Sequence, residues 1–369
     1  MTVFTPLVLV CAGGPGGHLF PAESLAHALK ARGIKVGLAT DARVDSIASE
    51  FPADEIVTVT SATPSGRSVL RRAGAVATLG RGFGKAARDI RRLNPAAVIG
   101  FGGYPTVPPV LAAQMLRVPT ILHEQNAVMG RANAFLARGA RVIATGFRQV
   151  RGVPPKAAAR RVHTGNPVRP AVLAVTDTPY PSLEPGSPLH LLVFGGSQGA
   201  RVMSEVVPAA IEQLPADIRS RLHIVQQARP EDLTAAQNRY LAMGLAGVEA
   251  APFFRDLPGR MARSHLVVAR SGASTVSELA AIGRPAILVP LPGALDQDQA
   301  ANAATLSEIG AALHVPQSAF TPDRLTAELV GWFGTPEKLT AAAKAAKSAG
   351  ILDAAERLAS VVVETAAKP

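Results

Sequence analysis

Two glycine-rich turns hold the residues of this chain whose types and spacing could do chemistry. Gly13-Gly-Pro-Gly-Gly-His18 follows the apolar run 7–12, and Gly195-Gly-Ser-Gln-Gly-Ala200 follows the apolar run 191–194. Glycines permit positive φ and let backbone N–H groups approach a phosphate, and the helix after such a turn points its unpaired N–H groups at the same place. Each turn therefore predicts a site for an anionic ligand, with a tight turn that binds nothing as the alternative.

His18 ends the first turn and is the candidate general base. An imidazole titrates near neutral pH, so it can take a proton from a reacting hydroxyl group. The alternative is a histidine that fixes the turn by bonding the backbone. His123 ends another apolar run, 119–122, and is as consistent with a structural role as with a catalytic one.

The positions of the two turns indicate how the chain is organised. They begin at residues 13 and 195 of 369, about half a chain apart. Strand-like and helix-like segments alternate elsewhere, as where the apolar run 266–269 leads into 270–275 and a helix. Such alternation predicts parallel sheets with right-handed crossovers, whose ligands collect at the carboxyl ends of the strands. The sequence predicts an α/β fold in which two Rossmann-like domains face one cleft.

Domain boundaries are predicted from composition. Residues 1–166 form the first domain, six prolines within 167–188 indicate a hinge or linker, and residues 189–340 form the second domain. The Ala- and Lys-rich segment 341–369 is typical of closing helices. A length of 369 residues suits two hydrophobic cores of ordinary size.

Composition argues against several classes of protein. The longest uncharged apolar runs fall far short of the roughly 18–20 residues that span a bilayer, so no integral membrane segment is expected. No signal peptide is expected either, because no basic region precedes the first apolar run. The single cysteine, Cys11, cannot form a disulfide within the chain, which fits a reducing cytosol.

Positive charge is concentrated in the first half of the chain. There are 21 Lys and Arg against 8 Asp and Glu through Asn166, and 17 against 19 after it. Cations and apolar residues interleave over 67–92, a pattern that suits an anionic bilayer surface, with a solvated helical face as the alternative. Nucleic acid is disfavoured, because the stretch has one aromatic residue and the chain has no recognisable nucleic-acid module. The candidate membrane contacts are Arg71, Arg72, Leu79, Phe83 and Arg88.

Seven short motifs together carry a resemblance to a known family. They are Ala12-Gly-Gly-Pro-Gly-Gly-His-Leu-Phe-Pro-Ala22, Gly100-Phe-Gly-Gly-Tyr104, His123-Glu-Gln-Asn126, Gly165-Asn-Pro-Val-Arg169, Gly195-Gly-Ser-Gln-Gly-Ala200, Arg270-Ser-Gly-Ala-Ser-Thr-Val-Ser-Glu278 and Asp298-Gln-Ala-Ala-Asn302. On these motifs the chain resembles the MurG family of peptidoglycan glycosyltransferases, which move N-acetylglucosamine from UDP onto undecaprenyl-pyrophosphoryl-muramyl-pentapeptide, called lipid I. The resemblance covers essentially the whole chain.

The resemblance implies a GT-B architecture and a direct, inverting displacement. The N-terminal domain would take the lipid acceptor, whose 4-hydroxyl proton His18 would remove, and the C-terminal domain would take UDP-N-acetylglucosamine. No cofactor or metal is implied. The protein would work as a peripheral protein on the cytoplasmic face of the bacterial inner membrane, with anionic lipid, lipid I and proteins of the cell-wall synthesis or division complexes as partners.

Individual roles follow from the same resemblance. Ser197 would bond the UDP phosphates, Glu278 the ribose hydroxyls and Gln299 the donor sugar. Arg169 and Arg270 would lie near the pyrophosphate. The backbone near Phe254 would meet the uracil edge. Further donor contacts would come from Pro15, Gly16, Gly17, Asn126, Ala273, Ser274 and Thr275, and acceptor contacts from Gly102, Gly103 and Tyr104.

Two features depart from the family pattern or invite another interpretation. Pro15 stands where relatives usually have Thr, so that position of the first turn has neither a hydroxyl nor an N–H to donate to a ligand. Asp296-Gln-Asp298 resembles a metal-binding Asp-x-Asp motif, although its setting before a helix matches a donor-sugar loop better.

Other functions stay open alongside this interpretation. A related glycolipid glycosyltransferase or a UDP-sugar epimerase would keep the C-terminal UDP site. An NAD(P)-dependent enzyme is suggested by Asp41, but Leu19 stands where the third glycine of that fingerprint belongs and Gln226-Gln227 stands where the second half would need an acid. A non-catalytic, membrane-associated scaffold that binds a nucleotide sugar is the third class.

Overall fold

The computed structural model of the chain describes residues 6–13, 17–41, 51–59, 69–196, 199–293 and 297–367, and of residues 69–80 it describes the backbone alone. The predictions for Pro15, Gly16, Ser197 and Asp296 lie outside the described residues. The predictions for the side chains of Arg71, Arg72 and Leu79 also lie outside the described part of the chain. The contacts divide the chain into two compact units, residues 1–169 with 352–369 and residues 170–351.

The first unit is built on a seven-stranded sheet, and the strand pairs are parallel. The strand order is β3-β2-β1-β4-β5-β6-β7, so β1 lies between β2 and β4. The strands are β1 Leu7–Cys11, β2 Lys35–Thr40, β3 Glu55–Thr58, β4 Ala97–Gly100, β5 Thr120–Glu124, β6 Val142–Thr145 and β7 Arg161–His163. The helices are α1 Leu19–Ala31, α2 Val69–Leu93, α3 Val107–Met115 and α4 Arg131–Leu136, with 3-10 turns at Tyr104–Thr106 and Pro155–Arg160.

The second unit repeats this plan with six strands. Its strands are also paired in parallel, in the order β10-β9-β8-β11-β12-β13. The strands are β8 Leu189–Phe194, β9 Leu222–Gln227, β10 Gly247–Ala251, β11 Leu266–Ala269, β12 Ala286–Leu288 and β13 Ala312–His314. The helices are α5 Pro170–Leu173, α6 Arg201–Glu212, α7 Ala216–Arg219, α8 Pro230–Leu241, α9 Leu257–Arg263, α10 Ala273–Ile282, α11 Asp298–Ser307, α12 Pro322–Phe333 and α13 Pro336–Ser348, with a 3-10 turn at Gln317–Ala319.

Both glycine-rich turns lie where the strand order reverses. In the first sheet the chain winds outwards from β1 to β2 and β3, then returns to β4 on the other side of β1; β8 and β11 have the same relation in the second sheet. The loops after these central strands separate there, which leaves a crevice at the carboxyl ends of a parallel sheet. The prediction of two Rossmann-like parallel-sheet domains is confirmed.

The closing segment divides between the two units. Leu339 and Ala342 of α13 belong to the core of the second unit. The last helix, α14 Ala354–Ala367, instead packs Leu358 and Val362 into the core of the first unit, where α1 also contributes Leu25. Fully burying a Leu side chain contributes about 1.5–3 kcal/mol, so α14 is part of the first unit's fold rather than an appendage.

Among the residues that the structure describes, no helix is both long and apolar enough to cross a membrane.

Candidate active site

The turn after β1 is shaped by a close approach of three segments. A Cβ atom on Gly13 would lie 2.5 Å from the Cβ of Pro105 and 2.8 Å from Oδ2 of Asp41, so only glycine fits at that position. Beyond the turn, Gly17 precedes His18, which occupies the N-cap position of α1 without a capping side-chain bond and is half-buried. The turn therefore presents the imidazole at the carboxyl end of β1.

His18 lies beside the loops that follow β4 and β5. Its Nδ1 is 3.3 Å from Oε1 of Gln125. Gly102 and Gly103 adopt left-handed φ values of 87° and 77° next to the ring, and Tyr104 follows them, partly exposed. The structure thus brings the predicted base together with the predicted acceptor contacts.

A buried carboxyl group organises the loop after β5. Glu124 accepts hydrogen bonds from the N–H of Asn126 at 3.0 Å, the N–H of Gly130 at 3.0 Å and Nδ2 of Asn133 at 2.8 Å. Burial raises its pKa, and the bonds from Asn126, Asn133 and Gly130 oppose that rise. Asn126, a predicted substrate contact, is therefore held in place by Glu124.

His123 has a structural role in this arrangement. Its side chain is fully buried, its Nε2 is 3.2 Å from the carbonyl oxygen of Gly165, and its ring packs 5.2 Å from that of Phe101. Burial lowers the pKa of His123 to about 4, so the ring is neutral at physiological pH. Of the two roles left open for this histidine, the geometry favours the structural one.

Arg169 belongs to the same edge of the first sheet. Its guanidinium lies over the ring of Phe20, in the first turn of α1, at 4.7 Å from the ring centroid. Stacking of this kind orders a cation without neutralising it. The charge predicted to lie near the pyrophosphate is therefore carried by the first unit.

The described residues of the second glycine-rich turn, 195–196 and 199–200, are tightly packed. A Cβ atom on Gly195 would clash with the backbone nitrogen of Ala200, and a Cβ atom on Gly199 would lie 2.7 Å from Cγ of Arg229. Gly196 and Gly199 have φ values of 87° and 69°, which L-residues rarely adopt. The described part of this turn therefore requires glycine for steric and conformational reasons.

Arg270 is bonded to protein acceptors. Its Nη1 donates to the carbonyl oxygens of Val289 at 3.0 Å and Pro290 at 2.9 Å, and its Nη2 donates to Oε1 of Gln317 at 2.6 Å. Burial lowers the pKa of its guanidinium from the usual value. The bonds to Val289 and Pro290 hold the segment after β12 in place. A direct contact between Arg270 and the pyrophosphate stays a prediction.

The first turn of α10 provides hydrogen-bond donors for a ligand. Gly272 occupies its N-cap position and has no side chain, and Ala273, Ser274 and Thr275 follow at the positive end of the helix dipole. The buried Oγ of Ser274 has no hydrogen-bond partner among the described residues. Glu278 lies one turn further along the helix and is buried. The helix start is therefore suited to an anion, with an acceptor for hydroxyl groups close behind it.

The loops after β11 and β12 are tied together. Ser271 Oγ donates to the carbonyl oxygen of Gln299 at 2.8 Å, and Asn302 Nδ2 donates to the carbonyl oxygen of Ser271 at 3.2 Å. The side chain of Gln299 accepts from the N–H of Leu291 at 3.0 Å. Asp298 is the first residue of α11. The predicted donor-sugar contact Gln299 is therefore placed by the same network as the start of α10.

Phe254 follows β10, further along the carboxyl edge of the second sheet. Its ring is buried under the guanidinium of Arg260, 4.2 Å from the ring centroid, while the neighbouring Phe253 is exposed. Arg260 in turn pairs with Glu249 at 2.5 Å and with Asp256 at 2.7 Å. The stacked ring of Phe254 therefore holds in place the backbone around it, which is expected to meet the uracil edge.

The basic stretch lies on α2. Arg88 is exposed, whereas Phe83 is half-buried and packs against the core of the first unit. Lys85 bonds Asp89 and the carbonyl oxygen of Thr58. Part of the Phe83 ring is therefore buried against the core of the first unit, so Phe83 offers a smaller apolar contact to a membrane than the sequence pattern indicates.

Sequence reasoning missed Glu124, Gln125 and Asn133 as site residues. The signal for Glu124 and Gln125 was present in His123-Glu-Gln-Asn126, a run of four polar residues that begins at the end of β5 and continues into the loop after it. Because buried polar groups must be hydrogen-bonded, such a run at the carboxyl end of a strand indicates a polar network.

Comparison with known proteins defines the class. The N-terminal domain of glycosyltransferase family 28 matches residues 8–145, and the C-terminal domain of that family matches residues 190–358. The chain is therefore a family 28 glycosyltransferase with a GT-B fold. It belongs to the MurG family. Because family membership is shown, the NAD(P)-dependent alternative is excluded.

Relatives and solved structures agree with this assignment. A Methylorubrum extorquens protein named UDP-N-acetylglucosamine–N-acetylmuramyl-(pentapeptide) pyrophosphoryl-undecaprenol N-acetylglucosamine transferase is 83% identical over 367 residues, covering 100% of both chains. The crystal structure of Acinetobacter baumannii MurG has a TM-score of 0.78 at 29% identity and covers 97% of this chain and 99% of its own. A Listeria monocytogenes structure described as a UDP-N-acetylglucosamine 2-epimerase has a TM-score of 0.66 at 16% identity and covers 99% and 98% of the two chains, which shows the shared fold alone.

Proposed function

We propose that this chain transfers N-acetylglucosamine from UDP-N-acetylglucosamine to the 4-hydroxyl of undecaprenyl-pyrophosphoryl-N-acetylmuramyl-pentapeptide, converting lipid I to lipid II in peptidoglycan synthesis. The observation that carries the proposal is the full-length relative, 83% identical, whose name states this transfer. The likeness to an epimerase, at 16% identity, extends to the fold alone and favours no epimerisation.

Residues 1–166 take the acceptor and supply the base. The imidazole of His18 accepts the proton of the 4-hydroxyl as that oxygen bonds to the anomeric carbon of the donor. The bond from that carbon to the UDP oxygen breaks at the same time, so the configuration inverts and UDP leaves as the diphosphate. Gly102, Gly103 and Tyr104 line the acceptor side next to the base.

Residues 189–340 hold the donor, with 167–188 as the link. The start of α10 stabilises the negative charge that develops on the leaving diphosphate, because its N–H groups and dipole are already oriented. Glu278 accepts from the ribose hydroxyls and Gln299 bonds the sugar. Support for these roles comes from Ser274 Oγ, which has no hydrogen-bond partner in the described part of the chain, and from the bonds that place Gln299.

The test is turnover of purified protein with UDP-N-acetylglucosamine and a lipid I analogue. The expected products are UDP and a disaccharide-bearing lipid, formed only when acceptor is present. Conversion of the donor sugar to its 2-epimer without acceptor would instead establish an epimerase.

A matched pair of variants tests the base. His18→Ala should lower turnover by about 10²–10⁴-fold, because that is what a positioned general base supplies. His27→Ala, a change to an exposed histidine on the same helix, should leave turnover intact. Near-normal turnover of His18→Ala at saturating acceptor would assign His18 to fixing the turn.

The protein works at the cytoplasmic face of the inner membrane as a peripheral protein. Its acceptor is anchored by a polyprenyl tail, so the enzyme must reach the bilayer surface. Exposed cations on α2, among them Arg81, Arg88 and Arg91, support an electrostatic contact with anionic lipid. Proteins of the cell-wall synthesis and division complexes are further proposed partners.

A further inference from the structure

The side-chain amide of Gln125 is fixed in one orientation. Its Nε2 donates to the carbonyl oxygen of Phe101 at 2.8 Å, and the backbone carbonyl of Gln125 accepts from Nδ2 of Asn166 at 2.9 Å. The residue is only 2% exposed. The reverse orientation would set Oε1 against the carbonyl oxygen of Phe101, and two acceptors cannot bond each other. The oxygen of the amide must therefore be the atom that faces His18.

This orientation decides where the proton of His18 sits. Oε1 of Gln125 accepts hydrogen bonds and donates none, and it is 3.3 Å from Nδ1 of His18. A neutral imidazole carries one N–H, and the bond at one nitrogen selects which nitrogen that is. Nδ1 therefore holds the hydrogen, and the lone pair is left on Nε2.

The two glycines beside the ring keep that nitrogen accessible. A Cβ atom on Gly102 would lie 3.5 Å from Cε1 of His18, and a Cβ atom on Gly103 would lie 3.6 Å from Cδ2. These are the two carbons that flank Nε2. Because both residues are glycine, the end of the ring that carries Nε2 is not covered by a side chain from either position.

We propose that Gln125 is a positioning residue that sets the tautomer of His18, so that Nε2 is the atom that accepts the proton of the acceptor hydroxyl. The proposal rests on the function proposed above, in which His18 is the base. The side-chain amide of Gln125 is neutral, so it selects which ring nitrogen of His18 carries the hydrogen without adding a charge next to the imidazole. The neighbouring carboxyl of Glu124 is bonded to Asn126, Gly130 and Asn133 and does not take the place of the amide.

The direct test is the tautomer itself. Long-range ¹H–¹⁵N correlation spectra of the full chain labelled at histidine report which ring nitrogen is protonated, and His18 is assigned by the signal that disappears in His18→Ala. At a pH where the ring is neutral, we expect the hydrogen on Nδ1. A hydrogen on Nε2, or an equal mixture, would overturn the proposal even if the enzyme is fully active.

Variants test the consequence for turnover. Gln125→Met keeps the volume but offers no oxygen, so the Nδ1–H form should lose its preference and kcat should fall about 10- to 100-fold, part of what a general base supplies. The KM for the donor should stay unchanged, because Gln125 is not one of the predicted donor contacts. A variant that keeps the wild-type tautomer or kcat would contradict the proposal.

A second glutamine provides the matched control. Gln114 Nε2 also donates to a backbone carbonyl, that of Leu136 at 2.9 Å, in the same unit. Gln114→Met should lower thermal stability without changing kcat or the tautomer. If it lowers kcat as much as Gln125→Met does, the effect of Gln125 is structural and the proposal fails. If His18→Ala turns over like the wild type, His18 is not the base and that part of the proposed function fails. The tautomer measured in the wild-type protein does not depend on that result, so failure of the base and failure of the role of Gln125 can be told apart.

Discussion

Arg270 and Gln317 are joined by a 2.6 Å hydrogen bond from the guanidinium to the side-chain oxygen, although 47 residues separate them. The same guanidinium bonds the carbonyl oxygens of Val289 and Pro290, so one side chain connects the segments that follow β11 and β12 to the 3-10 turn after β13. The donor-side loops are therefore positioned from within the second unit.

Removing this connection should loosen the donor loops. Arg270→Met leaves two carbonyl groups and an amide without their donor, and each buried unsatisfied group costs about 1–3 kcal/mol. We expect the free energy of unfolding to fall by about 3 kcal/mol in urea titration and the KM for the donor to rise. Arg263→Met, at a largely exposed side chain, should change neither quantity. An unchanged KM in a destabilised Arg270→Met protein would limit the role of Arg270 to folding.

Glu278→Ala should weaken UDP binding while leaving the fold intact. The loss of hydrogen bonds to a charged acceptor is worth about 1.5–3 kcal/mol, which is about 10- to 150-fold in Kd. Isothermal titration calorimetry with UDP measures this directly. Glu308→Ala, which changes an exposed residue just after α11, serves as the control. Equal UDP affinity for Glu278→Ala and the wild type would remove the ribose role.

Acid should destabilise the first unit through His123. Its pKa is lowered by burial to about 4 in the folded chain, against an ordinary value of 6.5, so the unfolded chain binds its proton first as pH falls. Stability should therefore be full above pH 6.5 and be lost as pH falls towards 4, by about 3 kcal/mol for one fully buried group. Urea titrations at pH 7.5 and 5 measure about 2 kcal/mol of this loss, because pH 5 is still above the pKa of the folded chain.

The variant His123→Gln should show a smaller loss between those two pH values, because glutamine does not titrate in this range. His27→Gln, at an exposed position, should retain the wild-type pH dependence. An identical slope in His123→Gln would assign the acid sensitivity to other groups.

Attachment to the membrane should depend on salt. Each cation near an anionic surface is worth about 1 kcal/mol and is screened within a Debye length, so the protein should pellet with anionic vesicles at low salt and be released at high salt. The test variant replaces Arg71, Arg72, Arg88 and Arg91 by Ser and should fail to pellet while binding UDP normally. The control replaces four cations of the second unit, Arg219, Arg239, Arg263 and Arg324, by Ser and should pellet like the wild type. Pelleting that ignores salt, or full retention of the test variant, would identify the basic stretch as a solvated face.

Much of the fold was predictable because the evidence for it is local in the sequence. Apolar runs that lead into Gly13 and Gly195 show where the central strands end, and their repetition predicts two similar sheets. The family motifs also predicted His18, Glu278 and Gln299 as site residues, and the structure places them at the N-cap of α1, within α10 and within α11. The division of the closing helices was less predictable, since Leu358 and Leu339 have the same apolar character and differ only in the core they enter.

The sequence by itself determined the class of fold, the positions of both glycine-rich turns and the candidate base, because strand and turn propensities act over a few residues. Only the tertiary structure decided the partners of the polar side chains. Gln125 reaches His18 across 107 positions, and Arg270 bonds Gln317 and carbonyl groups of the same unit. Hydrogen bonds are short and directional, so which donor meets which acceptor depends on how the strands are ordered in the sheet.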